Sequence, residues 1–372
     1  MTNRVFKLYV VMILCAVLFS ACVNSTQNQT KEPDVVKISA ILSLTGNGAT
    51  LGNYAKKGLE LAVEEKNAAG GILGKQIVLD ISDSKSEAKE GITLAQSTLA
   101  SENKPLLLYV QLSAVSLAVK PVAEQNKQMM FALSGADNLL QGTNYTFRNW
   151  LPPLEAGKAL TKFMKESLNI NEYGIIYANS EFARSMKDAA ITEGNQNGLK
   201  LLFEEPYDEQ SMDFKTVALK AVKNNPKYIY VVGIGKSLGT MVKQLRENGY
   251  EGVILGDATL NLPDVKETAG AALNGAYFVD FGFDNQSTSP KTIAFTNKFK
   301  EKFNDAPQTL SAISYDAMQL LFDAVEKEKS FDQAKLIQHL NNKSNFEGVF
   351  GAVNIKNFDI IYPMSLKKME VK

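Results

Sequence analysis

Residues 37–74 read "KISAILSLTGNGATLGNYAKKGLELAVEEKNAAGGILG", and this stretch decides the fold. A β-forming run at residues 37–42 enters a turn with three glycines within residues 46–52, and a helix-forming run at residues 54–67 follows. A strand, a glycine-rich turn and a helix in this order are also the layout of loops that bind phosphate groups. A nucleotide site is therefore the first alternative to weigh.

The spacing of the glycines argues against a nucleotide. Gly46, Gly48 and Gly52 do not match the dinucleotide-binding fingerprint, and no Gly-Lys-Ser or Gly-Lys-Thr supplies a P-loop. Asp80 and Asp83 lie roughly where a ribose-reading acid would stand, but aspartates at such positions are common. We therefore interpret the turn as a tight strand-to-helix connection whose helix N-terminus faces a cleft.

Length and composition indicate a two-domain globular protein. The chain has 372 residues, enough for two domains of roughly 150 residues each. Its 45% hydrophobic and 22% charged residues are ordinary for such a protein. Lys plus Arg and Asp plus Glu each total 40, so no excess charge favours a nucleic-acid partner.

The N-terminus predicts export and lipidation. Arg4 and Lys7 precede an apolar run at residues 8–19, which is shorter than the roughly 20 residues that a membrane-spanning helix needs. The run ends in "LFSAC", which resembles a bacterial lipobox. We predict a lipoprotein signal peptide at residues 1–21 and a lipid anchor at Cys22, with simple cleavage nearby as the alternative.

The segment after the predicted signal has the composition of a tether. Residues 22–34 are polar and predict a flexible link between the anchor and the folded part. The other cysteine, Cys15, lies inside the signal, so no disulfide is expected in the mature chain. These features predict an extracytoplasmic protein, in the periplasm or on the cell surface, held to a membrane through Cys22.

Strand-like and helix-like segments alternate from Val35 onward. Repeated units of this kind predict an α/β fold with a parallel sheet covered by helices on both faces. The rhythm breaks at residues 152–153, two prolines, and then restarts as a second unit of similar size. Helices and a strand-like tail at residues 346–361 close the chain. Two doubly wound sheets that face each other form a cleft at the carboxyl ends of their strands.

Four segments resemble the class I periplasmic binding proteins, especially the leucine/isoleucine/valine-binding branch. The opening stretch ends its helix in the family's pattern N-A-x-GG-I-x-G, and "KPVAEQNKQMMFALSGA" (120–136) matches a helix that leads to a strand and a binding loop. "ISYDAMQLLFDAV" (313–325) and "FEGVFGAVNIKNFD" (346–359) match a later helix and the tail. The resemblance covers essentially all of residues 35–365.

The resemblance implies two doubly wound lobes joined by a three-strand hinge that close over a small polar ligand. The crossovers are expected near residues 148–153, 280–287 and 344–349. The expected lobes are an N-terminal one of residues 35–150 plus 285–345 and a C-terminal one of residues 151–284 plus 346–372.

The resemblance also implies binding residues in the N-terminal lobe. Leu51 matches an apolar or aromatic wall position, and Ser113 matches the residue that grips the ligand carboxylate. A serine at a helix start is also a common N-cap, with or without a ligand. Ser134 and Ala136 match positions that hold the ligand ammonium and carboxylate. The second is usually Thr or Ser, so one hydrogen bond of the usual set is missing unless Asp137 compensates.

Two further positions come from the C-terminal lobe. Phe182 matches an aromatic lid that is normally tyrosine; packing under its own helix is the alternative. Asp257 stands one residue before the position, occupied here by Ala258, at which amino-acid binders pair an acid with the ligand ammonium. A surface loop aspartate is the competing interpretation.

The sequence offers little for catalysis. His339 is the one histidine, and no GxSxG motif is present, so no catalytic residue, metal site or cofactor is predicted. We interpret the chain as a monomeric solute-binding lipoprotein that delivers an amino acid or similar small ligand to an ABC transporter permease. The alternatives are a sensory receptor that passes its closed state to a signalling partner and, more remotely, an enzyme on the same scaffold.

Overall fold

Two α/β lobes, each built on one largely parallel sheet, form the part of the chain that this computed structural model describes, residues 35–370. This confirms the predicted fold class. The predicted signal peptide, the tether and Cys22 lie outside the described residues.

The first lobe alternates strands and helices through its first half. In chain order its elements are β1 (Val36–Leu42), α1 (Ala49–Ala68), β2 (Ile77–Asp83), α2 (Ala88–Ala100), β3 (Leu107–Gln111), α3 (Ser113–Gln125), β4 (Met130–Leu133) and β5 (Thr146–Arg148). The strands from β1 to β5 pair in parallel in the order β5-β4-β3-β1-β2. Every residue of β3 is buried, as expected for a strand covered by helices on both faces.

The second lobe repeats this plan. Its elements are α4 (Pro153–Glu166), β6 (Glu172–Ala178), α5 (Glu181–Gln196), β7 (Lys200–Tyr207), α6 (Lys215–Lys223), β8 (Tyr228–Val232), α7 (Gly235–Glu247), β9 (Val253–Asp257), α8 (Pro263–Ala269) and β10 (Tyr277–Phe281). These strands pair in parallel in the order β10-β9-β8-β6-β7.

The C-terminal part of the chain serves both lobes. Its elements are α9 (Pro290–Phe303), α10 (Thr309–Glu328), α11 (Gln333–Asn341), β11 (Phe346–Gly348), β12 (Gly351–Lys356), β13 (Asp359–Ile361) and β14 (Met364–Lys368). Helix α10 packs against α1 in the first lobe. Strand β13 pairs with β5, whereas β14 pairs antiparallel with β10 in the second sheet.

The tail therefore differs from the predicted lobe boundary. Residues 346–361 were expected in the second lobe but extend the first sheet, and the third crossover lies at residues 361–364 rather than 344–349. Asp316 of α10 holds the β11–β12 turn, because its carboxylate accepts from the Val349 N–H at 2.9 Å. Arg148 of β5 pairs with Asp359 of β13 (Nε to Oδ1, 2.7 Å). Both contacts tie the tail to first-lobe residues.

The three crossovers meet in one buried aromatic cluster. Trp150 from the first crossover packs on Phe281 from the second at 4.8 Å between ring centroids, and Phe281 lies 5.8 Å from Tyr362 of the third. The Tyr362 hydroxyl donates to Asn149 Oδ1 at 2.7 Å. These contacts hold the three crossover segments together where the chain passes between the lobes.

The glycine turn allows the start of α1 to lie very close to the end of β1. A Cβ on Gly52, in the first turn of α1, would lie 2.0 Å from the Ser43 carbonyl oxygen at the end of β1. Only glycine lets the helix start this close to the strand that precedes it. The turn thereby brings the N-terminal end of α1 to the carboxyl edge of the sheet.

Candidate ligand-binding site

A cavity lies between the lobes at the carboxyl ends of the parallel strands. We call it the main cavity. Both lobes contribute to its wall, which consists of Leu51, Gln111, Leu112, Ser113, Leu133, Gly135, Trp150, Phe182, Ile234, Thr259 and Leu310. This is where open parallel sheets place their ligands.

Strand-to-helix turns position most of this wall. Gln111 ends β3 and Ser113 begins α3 directly after it. In the second lobe, Phe182 lies in the first turn of α5, Ile234 precedes α7, and Thr259 follows β9. Because the strands are parallel, their carboxyl ends share one edge, and the turns converge on one point.

The polar groups of the main cavity are held in place by short contacts. The Ser113 hydroxyl accepts from the Gly135 N–H at 3.1 Å, and Gln111 Oε1 accepts from the Ser43 N–H at 2.8 Å. Ser113 is the first residue of α3 rather than the N-cap that its sequence position suggested. The N-cap is Leu112, whose φ of +75° is unusual for a residue with a side chain. This strained residue lies on the cavity wall, as strained residues at binding sites often do.

Most of the remaining wall is apolar. Trp150 and Phe182 pack edge to face at 6.5 Å between centroids, with one ring from each side of the cleft. Leu51, Leu133 and Leu310 complete the apolar surface with Leu112 and Ile234. No charged side chain is on this wall, so the main cavity fits a ligand with a substantial apolar part.

Among the sequence-predicted residues, the structure brings Leu51, Ser113 and Phe182 to the main cavity. Ser134 and Ala136 are buried beside it but do not line it. The Ser134 hydroxyl accepts from the Ala136 N–H at 3.3 Å, and the Ala136 carbonyl accepts from Arg148 Nη1 at 2.9 Å. Ligand contact by these residues stays a prediction.

Asp257 lies behind the wall. Its side chain is 2% exposed, and Oδ1 accepts from the Thr259 N–H at 2.9 Å. Oδ2 has no hydrogen-bond partner among the described residues. Burial raises the pKa of this carboxyl to about 6, although the hydrogen bond from Thr259 acts to lower it. Thr259 lines the main cavity, whereas Asp257 does not.

Sequence reasoning missed several wall residues. Gln111 and Thr259 each lie within two residues of a predicted strand end, so strand position was a signal that could have found them. Trp150 stands next to the proline pair that marks the first crossover. Leu310 comes from α10, distant in sequence, and no local pattern marks it.

Several contacts join the lobes directly. Phe182 packs against Gly135, where a Cβ would lie 2.8 Å from Phe182 Cδ2, and Asn47 packs against Gly235, where a Cβ would lie 2.5 Å from Asn47 Oδ1. The Asp137 N–H donates to Ser185 Oγ at 3.1 Å. These contacts show the lobes closed on each other.

A second cavity adjoins the main one, and we call it the vestibule. Leu112, Ser113, Phe182 and Ile234 line both cavities. The residues that line only the vestibule are Gly46, Asn47, Lys85, Ser86, Glu87, Ala114, Ser180, Glu181, Glu209 and Gln210. The vestibule is therefore the polar neighbour of an apolar cavity.

Within residues 35–370, every helix is too short or too polar to span a membrane. No group of three or more His, Cys, Asp or Glu side chains is arranged to hold a metal ion in that range.

Two lobes joined by three crossovers and closed over one cavity are the architecture of the bilobal solute-binding proteins. The chain belongs to the periplasmic binding protein family, whose model matches residues 35–364. The resemblance to the leucine/isoleucine/valine-binding branch is confirmed, and family and fold are those of solute-binding proteins rather than enzymes. Members of the family act outside the cytoplasm.

Similar proteins carry related names. The chain is 22% identical over 327 residues to Leu/Ile/Val-binding protein homolog 3 of Brucella melitensis, covering 87% of both chains. Among solved structures it is similar to the leucine binding protein LivK of Thermotoga maritima, with 27% identity, a TM-score of 0.84, and coverage of 90% of this chain and 96% of that one. LivJ of Streptococcus pneumoniae in complex with isoleucine is 25% identical with a TM-score of 0.83, and 91% of this chain and 98% of that one are covered.

Proposed function

We propose that this protein is the extracytoplasmic solute-binding component of an ABC importer and that it binds an aliphatic amino acid or a related small carboxylate between its lobes. One observation carries the proposal: the main cavity lies between the lobes and takes its wall from both. A ligand held there contacts both lobes only when they are closed, so binding energy favours closure.

The cavity wall supports an aliphatic ligand. Its leucines, Ile234, Trp150 and Phe182 suit an apolar side chain, while Ser113 and Gln111 offer polar groups at one side. Proteins similar to this one carry names that specify leucine, isoleucine and valine, and LivJ was crystallised with isoleucine. We extend that ligand class to this chain.

Ser113, Leu51 and Phe182 have complementary roles in this proposal. The Ser113 hydroxyl, beside the start of α3, receives the ligand carboxylate. Leu51 and Phe182 face the apolar part from opposite lobes. Phe182 acts as a lid without the polar tip that a tyrosine would add.

The membrane arrangement is part of the proposal. Cys22 carries a lipid anchor, residues 22–34 form a tether, and the closed monomer docks on a transporter permease. In cells, globomycin should block processing, and Cys22→Ser should release the protein in soluble form. Unaltered membrane attachment of Cys22→Ser would refute the anchor.

A thermal-shift screen tests the ligand class. Free amino acids, small amides and organic acids are added to the purified protein, and leucine, isoleucine and valine are expected to raise Tm. Saturation at 100 times Kd adds about 2.7 kcal/mol to the free energy of unfolding. If the aliphatic amino acids gave no shift while a dicarboxylate did, the proposed ligand class would be abandoned.

A further inference from the structure

Glu209 occupies an unusual position in the vestibule. It follows β7 in the second lobe and shares the vestibule wall with Ser113 of the first lobe. Its Oε2 atom is buried and has no hydrogen-bond partner among the described residues. A buried carboxylate oxygen without a partner is costly, so such an atom needs a reason.

Neighbouring cations do not supply that partner. Arg184 is near enough to influence Glu209, but its guanidinium bonds to Asn179 Oδ1 at 2.7 Å and to Glu181. Lys85, on the opposite wall, pairs with Glu90 at 3.2 Å. Burial raises the pKa of Glu209, with Asp208 adding to the effect and Arg184 opposing it. A cation placed at Oε2 would relieve this cost.

Asp257 is less well placed to meet a ligand cation. It lines neither cavity, and one of its oxygens is already bonded to the Thr259 N–H. Glu209, in contrast, lies on a cavity wall that also carries Ser113, the residue proposed to receive the carboxylate.

We propose that Glu209, rather than Asp257, is the carboxylate that pairs with the ligand's ammonium group. The inference rests on the proposed function and specifies its recognition of the amino group. The apolar side chain lies in the main cavity, and the head group lies at Ser113, where the two cavities join. The first lobe then binds the ligand carboxylate through Ser113, and the second lobe binds the ammonium group through Glu209.

Asn47 adds to this arrangement. Its Nδ2 atom is also buried and has no partner within residues 35–370, and Asn47 lies on the vestibule wall of the first lobe. Two residues of the vestibule wall, one from each lobe, therefore carry a buried polar atom without a partner among the described residues. A zwitterionic head group carries an acceptor for Asn47 and a donor for Glu209. Because these residues belong to different lobes, a head group bound to both links charge recognition to lobe closure.

The test compares leucine with 4-methylpentanoate, which is leucine without its amino group, by isothermal titration calorimetry. Glu209→Gln should weaken leucine binding by about tenfold or more, because the ammonium group loses its negatively charged partner. Its affinity for 4-methylpentanoate should be unchanged or higher. Glu205→Gln, in β7 outside both cavities, and Asp257→Asn should leave leucine affinity within about twofold of the parent protein's.

Each other outcome has a clear meaning. Equal losses for both ligands in Glu209→Gln would show a structural role and overturn the inference. A loss in Asp257→Asn with none in Glu209→Gln would return the ammonium role to Asp257. If the unmodified protein bound neither leucine nor 4-methylpentanoate, the proposed function would fail and the inference with it. Circular dichroism and Tm of each variant verify that it folds.

Discussion

At the scale of single residues, Ser113 carries the most specific prediction. Its side chain is 6% exposed, it begins α3, and it lines both cavities. Its hydroxyl is held by the Gly135 N–H, so it is oriented before a ligand arrives. A pre-oriented group contributes more to affinity because less freedom is lost on binding.

Replacing Ser113 by alanine should weaken carboxylate binding with little change in fold. The lost hydrogen bond to a charged group corresponds to about 1.5–3 kcal/mol, or roughly 10- to 150-fold in Kd for isoleucine. Ser116→Ala is the matched control, because Ser116 is buried on the same helix but lies on neither cavity wall. Equal affinity for the two variants would remove Ser113 from the site.

Asp257 predicts a pH dependence of stability. Its folded pKa of about 6 lies above its ordinary value of 3.8, so the folded protein holds this proton to higher pH than the unfolded chain does. The contribution to stability is therefore complete below about pH 4 and is lost as the pH rises to about 6. Its size is of the order of 3 kcal/mol.

Asp257→Asn should consequently stabilise the free protein at pH 7.5 and change it little at pH 4. Asparagine keeps an oxygen for the Thr259 N–H but carries no charge to bury. Urea denaturation of both proteins at the two pH values measures the difference. A destabilised Asp257→Asn protein at pH 7.5 would mean that the carboxylate has a stabilising partner in solution.

At the scale of elements, the turn between β1 and α1 fixes where the cleft lies. Gly52 brings α1 within contact of Ser43, and Ser43 in turn donates its N–H to Gln111 at the end of β3. The turn thus supports a cavity residue from a neighbouring strand. Its glycines serve packing rather than phosphate binding.

Gly52→Ala should destabilise the protein by about 1–3 kcal/mol, because the new methyl group has no room beside the Ser43 carbonyl. The midpoint of urea unfolding measures this loss. Lys56→Ala, at a more exposed position of α1, is the control and should stay within about 0.5 kcal/mol. Equal midpoints for Gly52→Ala and the parent protein would show that the backbone of the turn can shift to accommodate the methyl group.

At the scale of the whole molecule, closure brings a side chain from each lobe against a glycine of the other. Phe182 meets Gly135, and Asn47 meets Gly235. The aromatic cluster of Trp150, Phe281 and Tyr362 lies where the crossovers meet. Motion between the lobes must therefore bend the chain around this cluster.

Gly135→Ala should impair closure while leaving each lobe folded. The added Cβ would lie 2.8 Å from Phe182 Cδ2, a contact that exists only when the lobes meet. Isoleucine affinity should fall about tenfold or more, since misfit in a packed contact costs roughly 1–3 kcal/mol. The ligand-induced decrease in radius of gyration, measured by small-angle X-ray scattering, should shrink. Adding Phe182→Leu to Gly135→Ala should restore part of the isoleucine affinity and part of the decrease in radius of gyration. A Gly135→Ala protein with unchanged affinity and an unchanged decrease would contradict this role.

Local patterns in the sequence determined much of this protein. Alternating strand and helix runs predicted two parallel sheets, and the proline pair marked the first passage between lobes. The resemblance to the periplasmic binding proteins placed Leu51, Ser113 and Phe182 near the cleft, and all three line the main cavity. Periodicity and turn chemistry act over a few residues, so a single sequence suffices to read them.

Only the tertiary structure decided the rest, because it depends on contacts between distant segments. The tail joined the first sheet through Asp316 and Arg148, which no local pattern links to it. Leu310 and Glu209 reached the cavities from elements far apart in the chain. Whether a carboxylate such as Asp257 faces a ligand or lies behind a threonine is settled by packing across a few ångströms. The spacing of residues along the sequence does not determine the distance between such a carboxylate and the cavity.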